Sequence, residues 1–166
     1  MHGNDSYSGY QDLYDAVRKG AEADNIVLVA GLDYGYKLDF VNATFEVEGT
    51  NIVYCAHPYN DKGEASGAVP YEKNFAGIKG RYPIIFTEFG SNDSSAFPPS
   101  SNNYQGMYER VFSYINNNDI HWTGFEWFVD KAAAPSLISD WKGTPQCAGN
   151  YVKGDLQKNP PPSLNK

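Results

Sequence analysis

Short runs of apolar residues separate longer amphipathic stretches along most of this chain. Four of these runs are rich in β-branched and aromatic residues and lack the polar alternation of a half-exposed strand. Such runs predict buried strands in a parallel sheet that is covered by helices. The predicted strands are Ile26–Ala30, Asn51–Ala56, Pro83–Thr87 and Ile120–Phe128.

The stretches between the strands carry apolar residues at helical spacing. The first predicted helix runs over about 9–23 and opens on a possible capping box formed by Ser8 and Gln11. The clearest helical pattern covers about 102–117. Weaker patterns predict helices over 37–44, Tyr71–Gly80 and Gln146–Gln157, and one helical turn over Pro135–Ser139.

The alternation of helices and strands predicts an α/β fold, because parallel strands are joined by crossover helices. Four βα units make half of a TIM (β/α)8 barrel, since a whole barrel takes roughly 250 residues. We therefore expect residues 1–157 to form a half-barrel with outer helices and residues 158–166 to form a mobile, Pro-rich tail. A doubly wound open sheet is the alternative, but Gly31–Tyr36 lacks the G-x-G-x-x-G spacing of a nucleotide loop.

Composition narrows the range of partners. The 166-residue chain has a net charge of −7 and a pI near 4.8, which argues against nucleic acid and against an anionic membrane surface. No apolar run reaches membrane-spanning length, and the polar segment Met1–Ser6 predicts that there is no signal peptide. His2, His57 and His121 show no metal-ligand spacing, so we expect no metal and no cofactor.

Side chains capable of chemistry follow the C-terminal end of each predicted strand. In a parallel barrel these ends converge on one face, where catalysis takes place. Each side chain alone also has a structural interpretation, but their occurrence after all four strands favours a site. The residues are Asp33 and Tyr34 after the first strand, His57 and Tyr59 after the second, Glu88 after the third and Trp127 after the fourth.

A carboxylate at a strand tip predicts cleavage of a glycosidic bond. Glu88 would attack the anomeric carbon, as one of the two carboxylates does in retaining glycosidases. A hydrogen bond from the Tyr59 hydroxyl would orient Glu88 and favour its ionised form. His57 would bind the sugar or set protonation near the cleaved bond, and Trp127 would form a flat floor under the sugar ring. Tyr34 and Asp33 would contribute to substrate binding, although Asp33 also suits a turn.

The ordered set of motifs resembles the C-terminal half of glycoside hydrolase family 5, the cellulase-type (β/α)8 barrels, over nearly the whole chain. The resemblance implies that the four strands are the fifth to eighth of the barrel. It gives Glu88 the place of the nucleophile, His57 and Tyr59 that of the sixth-strand pair, and Trp127 that of the eighth-strand platform. The matching segments are Asn25–Tyr34, Asn51–Tyr59, Pro83–Gly90, Trp122–Trp127 and Pro135–Pro145.

By the same resemblance, the acid/base Glu belongs at the end of the fourth strand, before the region that this chain matches. Glu126 has the opposite strand parity to Trp127, so we expect it to face the helices, and Asp130 is a weak candidate for sugar contact. A half-barrel leaves two sheet edges unpaired, which predicts a homodimer or a complementary N-terminal half-barrel as partner.

These features predict a retaining, endo-β-1,4-glucanase-like enzyme whose action on a β-glucan or oligosaccharide is weak or depends on assembly. The family resemblance implies an extracellular enzyme, although we expect this chain not to direct its own export. Two alternatives stay open: a non-catalytic, carbohydrate-binding or structural half-barrel, and a truncated product with no function of its own.

Overall fold

A computed structural model describes residues 1–4, 6–59, 70–90, 102–129, 136–146 and 148–160, and for residues 102–105 only the backbone. Helices and strands follow each other in the chain. The strands are β1 (Val27–Ala30), β2 (Ile52–Ala56), β3 (Ile84–Phe86) and β4 (His121–Trp122). The helices are α1 (Tyr10–Asp15), continued by a π-helical segment (Ala16–Gly20), α2 (Tyr71–Asn74), α3 (Asn102–Asn117) and α4 (Ala148–Lys158).

The four strands form one parallel sheet in the order β1-β2-β3-β4. β1 pairs with β2 from Val27 opposite Ile52 to Ala30 opposite Cys55. The Tyr54 amide then donates to the carbonyl of Pro83 at 3.1 Å, which connects β2 to the start of β3. On the other side of β3, the Thr123 amide donates to the carbonyl of Phe86 at 2.9 Å. The predicted α/β fold with four parallel strands is confirmed.

The chain divides into two compact units, residues 1–57 with 69–85 and residues 58–68 with 86–166. The core of the first unit contains side chains of β1, β2 and the segment after α2, among them Val29, Tyr54, Phe75 and Ile78. The core of the second unit forms around one face of α3, because Tyr108, Val111 and Ile115 recur at helical spacing and are buried. The predicted boundary between a domain ending at 157 and a tail stays a prediction.

The connection from β1 to β2 contains no helix between residues 31 and 51, so the predicted helix over 37–44 is wrong. The fully buried side chain of Asn74 replaces the helical hydrogen bonds. Its Oδ1 accepts from the Leu38 amide and its Nδ2 donates to the Tyr36 carbonyl, both at 2.7 Å. Asn42 Oδ1 likewise accepts from the amides of Thr44 and Phe45. Side chains that satisfy the backbone in this way stabilise a loop against a helix.

The first helix begins one residue later than the sequence predicts, and its cap differs. The N-cap is Gly9, and the carboxylate of Asp12 accepts from the Gly9 amide at 2.7 Å, which replaces the predicted pairing of Ser8 with Gln11. Gln11 is buried and binds the backbone of Glu48 instead, through its Oε1 at 2.8 Å and its Nε2 at 3.1 Å.

The last predicted strand, 120–128, is mostly wrong, because β4 ends at Trp122. The Trp122 ring packs edge-on against the buried rings of Phe89 and Phe112. Beyond Gly124 the chain turns: the Glu126 carbonyl accepts from the amides of both Phe128 and Leu137. Residues 136–139 form bends and an isolated bridge, so the described part of the predicted helical turn over 135–139 is not helical.

Candidate active site

Tyr59 and Glu88 form a side-chain pair in the second unit. The hydroxyl of Tyr59 donates to Oε2 of Glu88 at 2.8 Å. Both side chains are half-buried, so the carboxylate is sheltered by protein while part of it remains within reach of solvent. The hydrogen bond that the sequence analysis predicted is therefore present.

The sheet brings the two residues together because pairing continues past the ends of β2 and β3. Tyr59 forms a parallel bridge with Gly90, and the Gly90 amide donates to the Pro58 carbonyl at 3.3 Å. Tyr59 thus lies opposite a residue two positions beyond Glu88, and its hydroxyl reaches the Glu88 carboxylate.

Phe89, the chain neighbour of Glu88, anchors this segment in the second unit. The Phe89 ring is buried and makes edge contacts with the rings of Tyr108, Phe112 and Trp122. Phe89 thus belongs to the aromatic core around α3, whereas the half-buried Glu88 pairs with Tyr59.

Electrostatics keep the Tyr59 hydroxyl a donor. Burial raises the pKa of Tyr59 strongly, and the hydrogen bond and charge of Glu88 raise it further. The raised pKa favours the protonated phenol at neutral pH. It can donate to a carboxylate throughout a reaction, but it cannot act as a base.

Glu126 and Tyr108 are neighbours that the sequence analysis did not assign to the pair. Each makes a smaller contribution that raises the pKa of Tyr59, after burial and Glu88. The parity argument for Glu126 fails because β4 ends at Trp122, four residues earlier. Tyr108 lies in the helix predicted over 102–117 and is fully buried in the structure. The sequence carried no signal that this tyrosine lies near Tyr59.

Trp127 lies on the chain after β4 with its ring 66% exposed. One edge of the indole lies against Gly143, where a Cβ would be 3.3 Å from Cζ2 and Cη2. Gly143 has a φ of +82°, so glycine is favoured there for conformation as well as for space. An exposed, supported indole suits stacking on a sugar, and its role as a floor stays a prediction.

His57, Asp33 and Tyr34 belong to the first unit. His57 is half-buried, and its amide donates to the carbonyl of Gly35 at 3.2 Å. Asp33 and Tyr34 precede Gly35 in a tight turn, with positive φ values of 52° and 54°, and Tyr34 is 90% exposed. His57 thus contacts this turn, whereas Tyr59 contacts Glu88. The predicted roles of these residues in substrate binding and catalysis stay predictions. Asp130 lies outside the described residues.

An apolar groove of about 500 Å³ lies beside β4 and α4 in the second unit. Trp122, Leu137, Val152 and Leu156 supply much of its wall, with Trp127 at the margin. Within the part of the chain that the structure describes, no three His, Cys, Asp or Glu side chains cluster as metal ligands would. Nor does any helix of that part have the length and hydrophobicity needed to cross a membrane.

Residues 3–131 match the family model of cellulases, glycosyl hydrolase family 5. Among solved structures, a β-glucanase from Saccharophagus degradans is 24% identical with a TM-score of 0.65, over 90% of this chain and 46% of its own. The same enzyme in complex with cellotetraose is 26% identical with a TM-score of 0.59, over 81% of this chain and 41% of its own. The catalytic domain of an endoglucanase from Thermobifida fusca is 18% identical with a TM-score of 0.62, over 89% of this chain and 50% of its own.

The chain therefore spans about half the length of the solved structures that it resembles. A comparison with curated proteins found no match.

Proposed function

Since the chain belongs to glycosyl hydrolase family 5, we propose that it carries the nucleophile side of a retaining β-1,4-glucan hydrolase, with Glu88 as the nucleophile. The observation that supports this proposal is the 2.8 Å hydrogen bond from the Tyr59 hydroxyl to the Glu88 carboxylate. Both side chains are half-buried and follow the ends of the parallel strands β2 and β3. Two solved relatives are named a β-glucanase and an endoglucanase, and each was also solved in complex with cellotetraose.

The proposed reaction has two displacements. A Glu88 oxygen attacks the anomeric carbon, so that a bond from Glu88 to the sugar forms as the bond from the sugar to the leaving oxygen breaks. A second carboxyl group gives its proton to that leaving oxygen, and then takes a proton from the water that releases the sugar. Tyr59 keeps Glu88 oriented, and His57 contacts the sugar or the proton path.

The family resemblance puts the second carboxyl group on a fourth strand that these 166 residues do not match. General acid catalysis is typically worth about 10²–10⁴-fold. An alkoxide leaving group needs that proton, whereas a nitrophenolate leaves without it. We therefore expect the chain to cleave an activated aryl β-glycoside and to be nearly inactive on a soluble β-1,4-glucan.

The test is a pair of assays, one on each substrate, with wild-type chain and with Glu88→Gln. Glu88→Gln keeps the size of the side chain and an acceptor for Tyr59 while it removes the nucleophilic carboxylate. Loss of aryl glycoside cleavage in this variant is the expected result. Cleavage by Glu88→Gln at the wild-type rate would show that Glu88 is not the nucleophile.

We also propose that a second copy of the chain covers the groove beside β4 and α4. β1 and β4 are the end strands of the sheet in the described part of the chain, and end strands offer backbone groups for pairing with another chain. β1 exposes the apolar side chain of Leu28 and follows the exposed Ile26, while the second unit offers the groove. The described residues that line the groove are mostly apolar and include no carboxylate, so an apolar surface of the second copy would bury no acidic side chain there.

A two-fold pair would join β4 of each copy to β1 of the other and close eight strands. The two Glu88 residues would then be four strands apart, whereas the family resemblance implies that acid and nucleophile are three strands apart. The dimer would cover the apolar surface without restoring the acid. This agrees with the expected preference for activated substrates.

Sedimentation velocity from low to high micromolar concentration tests this assembly. Leu156→Glu places a charge in the groove, and Phe45→Glu places one on an exposed apolar residue that does not line the groove. A dimer that dissociates with Leu156→Glu and persists with Phe45→Glu is expected. A monomer at every concentration would contradict the second copy and favour a separate N-terminal half-barrel.

The exposed Trp127 favours one other function, carbohydrate binding without turnover. Saturable binding of a β-1,4-glucan that is lost with Trp127→Ala, without cleavage of either substrate, would support that function over hydrolysis.

A further inference from the structure

The turn after β1 is closed and strained. The amides and carbonyls of Leu32 and Lys37 pair with each other at 2.9 and 2.7 Å, and Gly31 forms a bridge with Gly35. Between them, Asp33, Tyr34 and Gly35 have φ values of 52°, 54° and 87°. Residues with side chains rarely adopt this left-handed conformation, and such strain persists only where the surroundings enforce it.

The imidazole of His57 occupies the space where a side chain at position 35 would lie. A Cβ built on Gly35 would be 2.5 Å from Nδ1, 2.8 Å from Cγ and 2.9 Å from Cε1 of His57. These distances are shorter than any that real Cβ atoms show. The His57 amide also donates to the Gly35 carbonyl at 3.2 Å, so both the backbone and the ring of His57 lie against this glycine.

We propose that Gly35 is the positioning residue for His57: the absence of a Cβ at position 35 sets where the imidazole lies. The geometric proposal stands on the packing alone. Its consequence for turnover rests on the proposed function, in which His57 contacts the sugar or the proton path. A side chain at position 35 would push the ring away from the turn and alter that contact.

Positive φ alone is the competing explanation for a glycine here. Gly80, in the same unit, separates the two explanations because it has a φ of +76° and no atom of the described residues lies within 4 Å of a Cβ built on it. Ala at position 80 adds backbone strain without a clash. Ala at position 35 adds similar strain together with a collision with His57.

The experiment compares Gly35→Ala with Gly80→Ala by NMR, using the imidazole resonances of His57 in the 166-residue chain. In wild type we expect a nuclear Overhauser effect between a Gly35 α-proton and the ring proton on Cε1 of His57. We expect the His57 ring resonances to shift in Gly35→Ala and to stay in place in Gly80→Ala. Unchanged ring resonances in Gly35→Ala, or equal shifts in both variants, would overturn the proposal.

A double-mutant cycle covers the case in which Gly35→Ala folds poorly. Removal of the ring by His57→Ala should relieve the collision, so Gly35→Ala should lower the melting temperature less in the His57→Ala background than in wild type. Gly80→Ala should lower it equally in both backgrounds. The absence of any rescue at position 35 would contradict the proposal.

Activity then separates this proposal from the proposed function. Slower cleavage of the aryl glycoside by Gly35→Ala than by Gly80→Ala is expected, with a changed pH profile. If the His57 ring moves in Gly35→Ala but turnover stays at the wild-type rate, His57 has no role in the reaction. The proposal that Gly35 positions the His57 ring would still hold.

Discussion

Two tyrosines five residues apart on the same stretch of chain serve the molecule in different ways. Tyr54 lies within β2 in the first unit, is fully buried, and accepts a hydrogen bond from the Val47 amide at 3.0 Å. Tyr59 lies beyond β2 in the second unit, is half-buried, and donates to a carboxylate. Burial raises the pKa of both hydroxyls, so protonation does not distinguish them. Their hydrogen-bond partners do.

The first unit repeats the pattern of Tyr54 at several positions. Tyr14 binds both the amide and the carbonyl of Thr50, Gln11 does the same with Glu48, and Asn74 connects Tyr36 to Leu38. These side chains complete the backbone hydrogen bonds of loops that have no regular structure. In the second unit, the Tyr59 hydroxyl donates to the Glu88 carboxylate rather than to a backbone group. A polar pair of this kind is a candidate for chemistry, whereas the backbone-bound side chains are candidates for stability.

The largest effect on stability is expected from Asn74→Ala. The substitution leaves the Leu38 amide and the Tyr36 carbonyl buried without their partner, at about 1–3 kcal/mol for each group, or roughly 2–6 kcal/mol in total. Urea unfolding measures the change. Asn42→Ala is the matched control, because exposed Asn42 also accepts from two amides but water can replace it, and we expect less than about 1 kcal/mol there. Equal losses would contradict the importance of burial.

Tyr59→Phe is expected to affect turnover more than stability. A hydrogen bond to a charged group contributes about 1.5–3 kcal/mol, which corresponds to roughly ten- to a hundredfold in rate if it is needed in the transition state. The measurement is kcat/KM on the aryl glycoside. If Tyr59→Phe has the same kcat/KM as wild type, Tyr59 packs beside Glu88 without contributing to the reaction.

Tyr54→Phe is expected to affect stability more than turnover. It removes the acceptor of the buried Val47 amide and should lower the free energy of unfolding by about 1–2 kcal/mol. Turnover of the folded protein should not change. Thermal unfolding and the aryl glycoside assay on Tyr54→Phe and Tyr59→Phe measure the effects on stability and on turnover separately. A loss of turnover with Tyr54→Phe would contradict the distinction between the two regions.

The smallest effect concerns pH. The hydrogen bond from His2, followed by those from the Gly9 and Gly3 amides, lowers the pKa of Asp12 from 3.8 to about 2. A lowered pKa means that Asp12 stabilises the folded N-terminal segment fully above its unfolded pKa, and that this contribution is lost as pH falls from about 4 through 2. Protection of the Gly3 and Gly9 amides should therefore survive at pH 4 and disappear near pH 2. Asp12→Asn should remove this pH dependence, and loss of protection already at pH 5 would contradict it.

The sequence predicted those parts of the fold that depend on local pattern. Apolar runs located β1, β2 and β3 and the start of β4, because strands of a parallel sheet form near-continuous apolar runs without polar alternation. The contact of Tyr59 with Glu88 was predictable because parallel strands end at the same edge of a sheet, so that residues beyond their tips converge.

Long-range contacts account for what the sequence did not predict. The helix over 37–44 loses to a loop because Asn74, 36 residues from Leu38, supplies the backbone hydrogen bonds. β4 stops after two residues because Thr123 is the last to bond to β3, and the chain then turns at Glu126. The packing of His57 on Gly35 had no sequence signal beyond a glycine in a turn. Local pattern says nothing of which distant ring lies over that glycine.

The most direct test of the central claim, that Glu88 is the nucleophile held by Tyr59, is to trap it covalently. A 2-deoxy-2-fluoro-β-glycoside with a dinitrophenolate leaving group needs no acid, and the fluorine slows release of the sugar from the enzyme. Mass spectrometry of the treated protein should show one added fluoroglycosyl group, located on Glu88 by peptide mapping, and none on Glu88→Gln. A label on any other residue, or an unlabelled protein that still hydrolyses the aryl glycoside, would contradict the account.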